Sequence, residues 1–205
     1  MKDLLHTAGI AGRPQRLGSG YGAVAYHAGE HVLRVLRPTN PPSVIAGYER
    51  EPALLALLGS RGLPVPRGTK VLRSEGGYPL ATMHRYVDGA PASRAGLRGT
   101  PLRGHARDRL AEQIGLFLAA LHATPVKEAH ALGVPSFDAG SDIYTTLVAE
   151  SMPQLGPHTQ VWVEQMLDCF LESGGSAQAP RVLLHGDIAG AHLLAQPDGS
   201  LAGII

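Results

Sequence analysis

The sequence has few of the features that mark a secreted, membrane or nucleic-acid-binding protein. Its single cysteine, Cys169, cannot form a disulfide within the chain, which fits a reducing cytoplasm. The net charge is +1, which gives no support for a nucleic-acid partner. No apolar run approaches the roughly 20 residues of a membrane span, and the N-terminus lacks the apolar stretch of a signal peptide. We therefore expect a cytoplasmic protein with neither a membrane nor a nucleic-acid partner.

The composition that remains is that of an ordinary globular protein. The chain has 205 residues, of which 44% are hydrophobic and 17% charged. A chain of this length can bury one good core, or two small lobes that share an interface. It is too apolar to be intrinsically disordered.

The first half of the sequence predicts a small sheet with one helix. Alternating apolar residues predict strands over 23–27, 31–36, 70–73 and 78–86. Between the second and third strands, Ser43 is predicted to cap a helix over residues 44–58. The short segment 88–91 is predicted to link this part to a second lobe.

The second half predicts mainly helices. A stripe of apolar residues with helical spacing predicts a helix over 107–122, and a second helix is expected over 159–172. Trp162, Met166, Cys169 and Phe170 are predicted to form the buried face of that second helix. Two apolar runs near the C-terminus flank the turn signal Asp198-Gly199.

A glycine-rich stretch, Gly18-Ser19-Gly20-Tyr21-Gly22, precedes the first of these strands. Glycines allow backbone N–H groups to approach phosphates closely, but they also make flexible hairpin turns, and both interpretations stay open. A dinucleotide-binding Rossmann motif would require a helix after the glycines. Since a strand follows here, that fold is excluded.

Arg34 lies in the strand 31–36, on the same face as Val32 and Leu36. A cation among apolar residues needs a partner, and Glu51 in the next helix is the natural one, with Glu49 as the fallback. Because Pro52 disfavours helical geometry in the residue before it, we expect Glu51 near the first turn of its helix. Alternatively, Arg34 is an ordinary charge on an edge strand.

The motif with the strongest chemical meaning is His185-Gly186-Asp187, followed five residues later by His192. With the apolar pair Leu193-Leu194 and the Asp198-Gly199 turn, it resembles the catalytic loop and following hairpin of the aminoglycoside/macrolide phosphotransferase family. That family is kinase-like. The alternative interpretation is an ordinary loop turn. The sequence has no Gly-x-Ser-x-Gly nucleophile elbow and no convincing zinc-ligand pattern.

The resemblance implies an α+β, two-lobed kinase-like fold, with an N-lobe over residues 1–86 and a mostly helical C-lobe over 87–205. In the N-lobe, the glycine loop would cover the phosphates, and Arg34, paired with Glu51, would contact them where the family has lysine. Met83 would lie behind the purine, with His84, Arg85 and Tyr86 offering it backbone hydrogen bonds.

In the C-lobe, the resemblance assigns Asp187 to the substrate hydroxyl as the catalytic residue. His192 stands at the position where most family members use asparagine to bind Mg²⁺. The implied reaction transfers the γ-phosphoryl group of ATP or GTP to a hydroxyl of a small molecule, for which aminoglycoside- and macrolide-type antibiotics are the obvious class.

In the same family, an aspartate that holds Mg²⁺ normally follows the second apolar pair, whereas this sequence stops at Ile205. We therefore expect an incomplete C-lobe, weak nucleotide binding with little turnover, and possible self-association through uncovered apolar surface. The alternative function is a non-catalytic nucleotide- or partner-binding remnant of such an enzyme.

Overall fold

The chain adopts an α+β fold in a computed structural model that describes residues 4, 9–10, 13–93, 102–136, 146–173 and 180–205. It divides into two compact units: residues 1–134 together with 182–205, and residues 135–181. The predicted lobe boundary at residues 86 and 87 lies inside the first unit and stays a prediction. None of the described helices is both long enough and apolar enough to cross a membrane.

The first unit contains a five-stranded antiparallel sheet with the order β1-β2-β3-β5-β4. Its strands are β1 (Gln15–Ser19), β2 (Ala23–Ala28), β3 (His31–Leu36), β4 (Lys70–Arg73) and β5 (Pro79–Arg85). The predicted strands are confirmed, because alternation of apolar residues is a reliable signal in a sheet with one buried face. The buried side chains of this sheet include Leu33, Leu72, Ala81 and Met83.

The helix after β3, α1 (Pro42–Ser60), is longer than predicted and begins differently. Ser43 is not its cap: Pro41 occupies the N-cap position and no side chain caps the helix. Pro42 replaces a cap because a proline in the first turn has no N–H to leave unbonded and its φ is already helical. Pro52 lies inside the helix, so Glu51 is in the helix interior and the prediction of a first-turn position is wrong.

Among its described residues, the remainder of the first unit contains two helices and a small antiparallel sheet. These elements are α2 (Gly104–His122), α3 (Val126–Ala131), β6 (Ala90–Pro91), β7 (Leu193–Ala195) and β8 (Leu201–Ile204), with the sheet order β6-β7-β8. The apolar stripe predicted for α2 is confirmed, since Leu110, Phe117 and Leu121 are buried. A core forms where this stripe meets Leu58 of α1 and Ile204 of β8.

The second unit contains a π-helical turn (Leu147–Ser151), a 3₁₀ turn (Met152–Gln154) and α4 (Pro157–Glu172). Its core includes Met152, Val163 and Leu167. The predicted buried face of α4 is wrong, because Trp162, Met166, Cys169 and Phe170 are all exposed. Val163 and Leu167, one turn apart, form the buried stripe instead, and the bulkier residues beside them misled the prediction.

The turn between β7 and β8 generates a test of the fold. A Cβ atom on Gly199 would overlap the backbone oxygen of Ala106 in α2, and the φ of Gly199 is +84°. Gly77 has a similar φ of +81°, but among the described residues no atom lies within 4 Å of such a Cβ. Gly199→Ala should therefore lower the free energy of unfolding by at least about 3 kcal/mol, and Gly77→Ala by about 1 kcal/mol. Chemical denaturation measures the free energy of unfolding of both variants. Equal decreases in the two would contradict the close contact between Gly199 and Ala106.

Candidate active site

The glycine loop is the turn between β1 and β2. The Gly20 N–H donates to the carbonyl of Ala23 at 2.9 Å. The guanidinium of Arg37, just after β3, donates to Ser19 Oγ at 2.7 Å and to the Gly20 carbonyl at 3.2 Å. Tyr21 at the tip is 81% exposed. The loop is therefore fastened from one side by Arg37, a residue that the sequence motif did not reveal.

The three glycines of this loop are required for different reasons. Gly22 is buried, and a Cβ atom there would lie 2.8 Å from Tyr48 Oη and 3.0 Å from Val44 Cγ1. At Gly18 and Gly20, by contrast, a Cβ atom would meet no atom of the described residues closer than 4.0 Å. None of the three has a positive φ. Contacts within the described chain thus explain the need for glycine only at position 22, whereas open space lies beside Gly18 and Gly20.

Arg34 lies on β3, in the middle of the sheet, opposite Ala25 of β2 and Thr82 of β5. It is therefore not an edge-strand charge, and it forms the expected ion pair with Glu51 of α1. Glu49, the fallback partner, instead pairs with Arg73.

The ion pair is partly buried, with 30% of the Arg34 side chain and 22% of the Glu51 side chain exposed. Burial lowers the pKa of Arg34, but the Glu51 carboxylate and, less strongly, Tyr48 outweigh it, so that the net pKa lies above its usual value. The second carboxylate oxygen of Glu51 is buried and has no hydrogen-bond partner among the described residues. That oxygen can still accept one more donor.

Met83 and His84 on β5 are both buried, at 3% and 4% exposure. His84 donates from Nδ1 to the Arg85 carbonyl at 2.8 Å, and its pKa is lowered, mainly by burial. Neutral His84 therefore fits this position at pH 7.

The backbone after β5 is less open than expected. The Tyr86 N–H donates to the Glu30 carbonyl at 2.8 Å, and the Arg85 N–H to the Arg67 carbonyl at 2.9 Å. Neither N–H is therefore free for a purine in this structure, because the turn between β2 and β3 and the segment before β4 already use them. The Tyr86 ring stacks on His27, with centroids 4.3 Å apart.

The catalytic-loop motif leaves the carboxylate of Asp187 in solvent, with 86% of its side chain exposed. The Asp187 N–H donates to Nδ1 of His185 at 3.3 Å, and Gly186 between them has a φ of +83°. Burial, then the neighbouring His192, lowers the pKa of His185, so its ring is neutral and carries its proton on Nε2. The loop therefore turns sharply beneath Asp187 and presents its side chain outward.

His192 holds the same loop from the other side. Its Nδ1–H donates to the Asp187 backbone carbonyl at 2.6 Å, and its ring lies 6.2 Å from that of His185. In a neutral imidazole that donates from Nδ1, Nε2 has a lone pair that can accept a hydrogen bond or bind a metal. The His192 carbonyl in turn accepts the Ile205 N–H at 2.9 Å, which ties the loop to β8.

The hairpin β7–β8 places the catalytic loop beside the segment that follows β5. The Gln196 side chain donates to the Asp88 carbonyl at 2.7 Å, and the Ala92 N–H donates to the Leu193 carbonyl at 2.7 Å. A Cβ atom on Gly203 would lie 2.9 Å from Val87 Cγ1. The hairpin that follows the predicted catalytic loop therefore lies beside residues 87–92, which directly follow the predicted purine-binding segment.

The family model of the phosphotransferase enzyme family matches residues 14–205, from β1 through the catalytic loop to β8. The chain belongs to the phosphotransferase enzyme family. Its α+β fold with an antiparallel N-terminal sheet is the kinase-like fold that the sequence predicted. By family, the chain is a phosphotransferase.

Solved structures with this fold are similar over nearly the whole chain. An aminoglycoside 2'-phosphotransferase-IIIa, solved as its GDP complex, matches 99% of this chain and 70% of its own, with a TM-score of 0.84 and 23% identity. A macrolide 2'-phosphotransferase from Brachybacterium faecium matches 98% of this chain and 69% of its own, with a TM-score of 0.69 and 21% identity. No curated protein sequence is similar enough to this phosphotransferase to be matched.

The close contact at Gly22 generates a paired test of the loop. Gly22→Ala should lower the free energy of unfolding by about 1–3 kcal/mol, because Tyr48 or the loop must move to admit a methyl group. Gly20→Ala should change it by no more than about 0.5 kcal/mol, since the site is open. Urea denaturation of the two variants checks this, and a larger loss for Gly20→Ala would show that the assignment of the glycines is wrong.

The buried neutral imidazole of His84 predicts a pH dependence of stability. Its folded pKa lies below its unfolded value of about 6.5, so the unfolded chain binds more protons once the pH falls below that value. Stability present above about pH 6.5 should therefore be lost as the pH falls, by at most about 1.4 kcal/mol per pH unit from this group. His84→Gln should flatten the loss in denaturation series at pH 7.5, 6.5 and 5.5. An unchanged slope would assign the effect to another group.

Proposed function

We propose that this phosphotransferase transfers the γ-phosphoryl group of ATP or GTP to a hydroxyl group of an aminoglycoside- or macrolide-type antibiotic. The observation that carries the proposal is the exposed Asp187 carboxylate, whose backbone is held by His185 and His192. The same compact unit contains Arg34, a cation near the glycine loop. Such a loop, a cation and a carboxylate are what phosphoryl transfer requires.

The nucleotide phosphates would lie under the glycine loop, at Gly18, Ser19, Gly20 and Tyr21. The open space beside Gly18 and Gly20 supports this, because no contact within the described chain requires glycine at either position. Arg34 would bind the phosphates, with its position held by Glu51. Unlike lysine, arginine offers a planar fork of five donors, so it can bond Glu51 and a phosphate oxygen at once.

The purine would lie against Met83, His84 and Tyr86, as the resemblance implies. Since the N–H groups of Arg85 and Tyr86 are engaged in the sheet, the next N–H, that of Val87, is a better donor to the base. It has no hydrogen-bond acceptor among the described residues. Val87 is thus a binding residue that the sequence motif did not indicate.

Asp187 would accept a hydrogen bond from the substrate hydroxyl and take up its proton as the bond to phosphorus forms. Its exposure keeps the carboxylate accessible, and its backbone is held through both neighbouring histidines. His192 would therefore serve first as the group that positions Asp187.

Bound Mg²⁺ would neutralise charge on the phosphate oxygens. It prefers oxygen ligands and commonly binds through one or two carboxylates together with substrate phosphates. The described residues contain no cluster of three or more His, Cys, Asp or Glu side chains that could hold a metal. Nε2 of His192 fits an ion held mostly by phosphates, with His192 acting through a water molecule because imidazole is a poor magnesium ligand.

The substrate class rests on similarity to enzymes that act on antibiotics. Among the solved structures, one is a kanamycin complex of an aminoglycoside phosphotransferase with a TM-score of 0.80, and another is a spectinomycin complex with a TM-score of 0.55. These share the fold at 22% and 12% identity, respectively. They support a hydroxyl-bearing small molecule as the acceptor.

A second candidate function is nucleotide or partner binding without catalysis. The lack of a self-sufficient metal cluster among the described residues favours it. The exposed apolar side chains of Trp162, Met166 and Phe170 on α4 fit a contact with a partner or a second copy.

Replacing the proposed catalytic carboxylate separates these functions. Asp187→Asn should lower turnover about 10²–10⁴-fold, because asparagine cannot accept the hydroxyl proton. Asp168→Asn, which removes an exposed carboxylate on α4, should leave it unchanged. Release of ADP or GDP is measured with Mg²⁺ and with kanamycin, a macrolide and spectinomycin in turn, and thermal unfolding confirms that both variants fold.

Normal turnover in Asp187→Asn would exclude Asp187 as the proton acceptor. If the unmodified chain binds ATP or GTP by calorimetry but no acceptor stimulates nucleotide hydrolysis or transfer, the second candidate is correct.

A further inference from the structure

One face of α1 contacts both the glycine loop and Arg34. Val44, Tyr48 and Glu51 are separated by four and three residues, a spacing that places them on the same side of a helix. The side chains of Val44 and Tyr48 supply the atoms nearest to a Cβ atom placed on Gly22, at the end of the loop. Glu51 is paired with Arg34. Tyr48 therefore stands between the two elements proposed to hold the phosphates.

The Arg34 guanidinium also lies over the Tyr48 ring. The guanidinium carbon of Arg34 lies 4.9 Å from the ring centroid, within the roughly 6 Å over which a cation and an aromatic face attract. Glu51 binds the same guanidinium at one edge. With an aromatic ring at its face and a carboxylate at its edge, the planar group is fixed in orientation as well as in position.

On its other side, Tyr48 limits how close the glycine loop can come. The Tyr48 hydroxyl fills the space where a Cβ atom of residue 22 would lie. The Gly22 carbonyl is held in place by the Arg37 N–H at 3.0 Å and by Asn40 Nδ2 at 2.7 Å. The end of the loop therefore rests on Tyr48 at a defined point.

We propose that Tyr48 is a positioning residue for the nucleotide phosphates, and that it makes position 34 specific for arginine over lysine. This inference rests on the proposed function, since the ligand of Arg34 is taken to be a phosphate. A guanidinium stacks on the ring and keeps in-plane N–H groups for the phosphate. A lysine ammonium has no plane to stack, so the same tyrosine would not orient it.

The experiment compares Tyr48→Phe, Tyr48→Met and Arg34→Lys, together with the double variant Tyr48→Met/Arg34→Lys. Calorimetry measures the affinity for ATP and GTP and for adenosine and guanosine, which lack phosphates. Tyr48→Met should weaken triphosphate binding about tenfold and leave nucleoside binding unchanged, whereas Tyr48→Phe should stay within about twofold. Arg34→Lys should weaken triphosphate binding by a similar factor, and the double variant should be no more than about twofold worse than either single one.

A merely structural role of Tyr48 would give a different pattern. Equal loss of triphosphate and nucleoside affinity in Tyr48→Met, or fully multiplicative losses in the double variant, would overturn the proposal. If Tyr48→Met does not fold, Arg34→Lys decides: unchanged triphosphate affinity in that variant would overturn the specificity for arginine.

A measurement without nucleotide separates this inference from the proposed function. The Nε–Hε resonance of Arg34 in the free protein should carry a ring-current shift that is kept in Tyr48→Phe and lost in Tyr48→Met. Absence of that difference would overturn the positioning role even if nucleotide binds normally. Failure of the unmodified chain to bind any nucleotide would overturn the proposed function and the phosphate assignment together, while the resonance would still decide whether Tyr48 orients Arg34.

Discussion

The ion pair between Arg34 and Glu51 is the constraint on which the N-terminal half of the molecule depends. A guanidinium on the central strand β3 is partly buried, and an unpaired charge there would cost several kcal/mol. The pair thus fixes the rotation of α1 about its axis, because only one face of the helix can present Glu51 to the sheet. Once that face is chosen, Tyr48 is brought to Arg34 and to Gly22. A single electrostatic requirement therefore sets the helix, the cation and the end of the glycine loop together.

The catalytic loop is held by a different means. Asp187 is almost fully exposed, so its carboxylate has no buried partner and little desolvation to offset. Its backbone is fixed instead, by one hydrogen bond to His185 and one from His192. In the proposed role of proton acceptor, this carboxylate has to be open to a diffusing substrate. Fixing the backbone while the carboxylate lies in solvent, with His192 Nδ1 3.9 Å from Asp187 Oδ2, satisfies that need.

The sequence predicted the features that depend on a local residue pattern or on the need of a buried charge for a partner. Alternation predicted the strands, and the need to neutralise Arg34 predicted Glu51. It did not reach features set by tertiary packing. Because Trp162 and Phe170 are large and apolar, the sequence predicts that their face of α4 is buried. Tertiary packing buries Val163 and Leu167 instead. Pro52 predicts that Glu51 lies in the first turn of its helix. Instead, α1 continues past Pro52, because tertiary contacts override the loss of one backbone hydrogen bond. Tyr48 gave no signal, since its partners are 14 and 26 residues away in the sequence.

The glycine loop shows why a motif alone is a weak guide to a phosphate site. Three glycines at alternate positions look equivalent in the sequence, yet their reasons for being glycine differ in the structure. Gly22 is required by its contact with Tyr48, which would hold in a protein that bound no ligand at all. Gly18 and Gly20 face open space, without the backbone conformation that would demand glycine. A phosphate approaching the backbone is a physical reason for a missing side chain at those two positions. The support for nucleotide binding therefore comes from the glycines that the fold does not need.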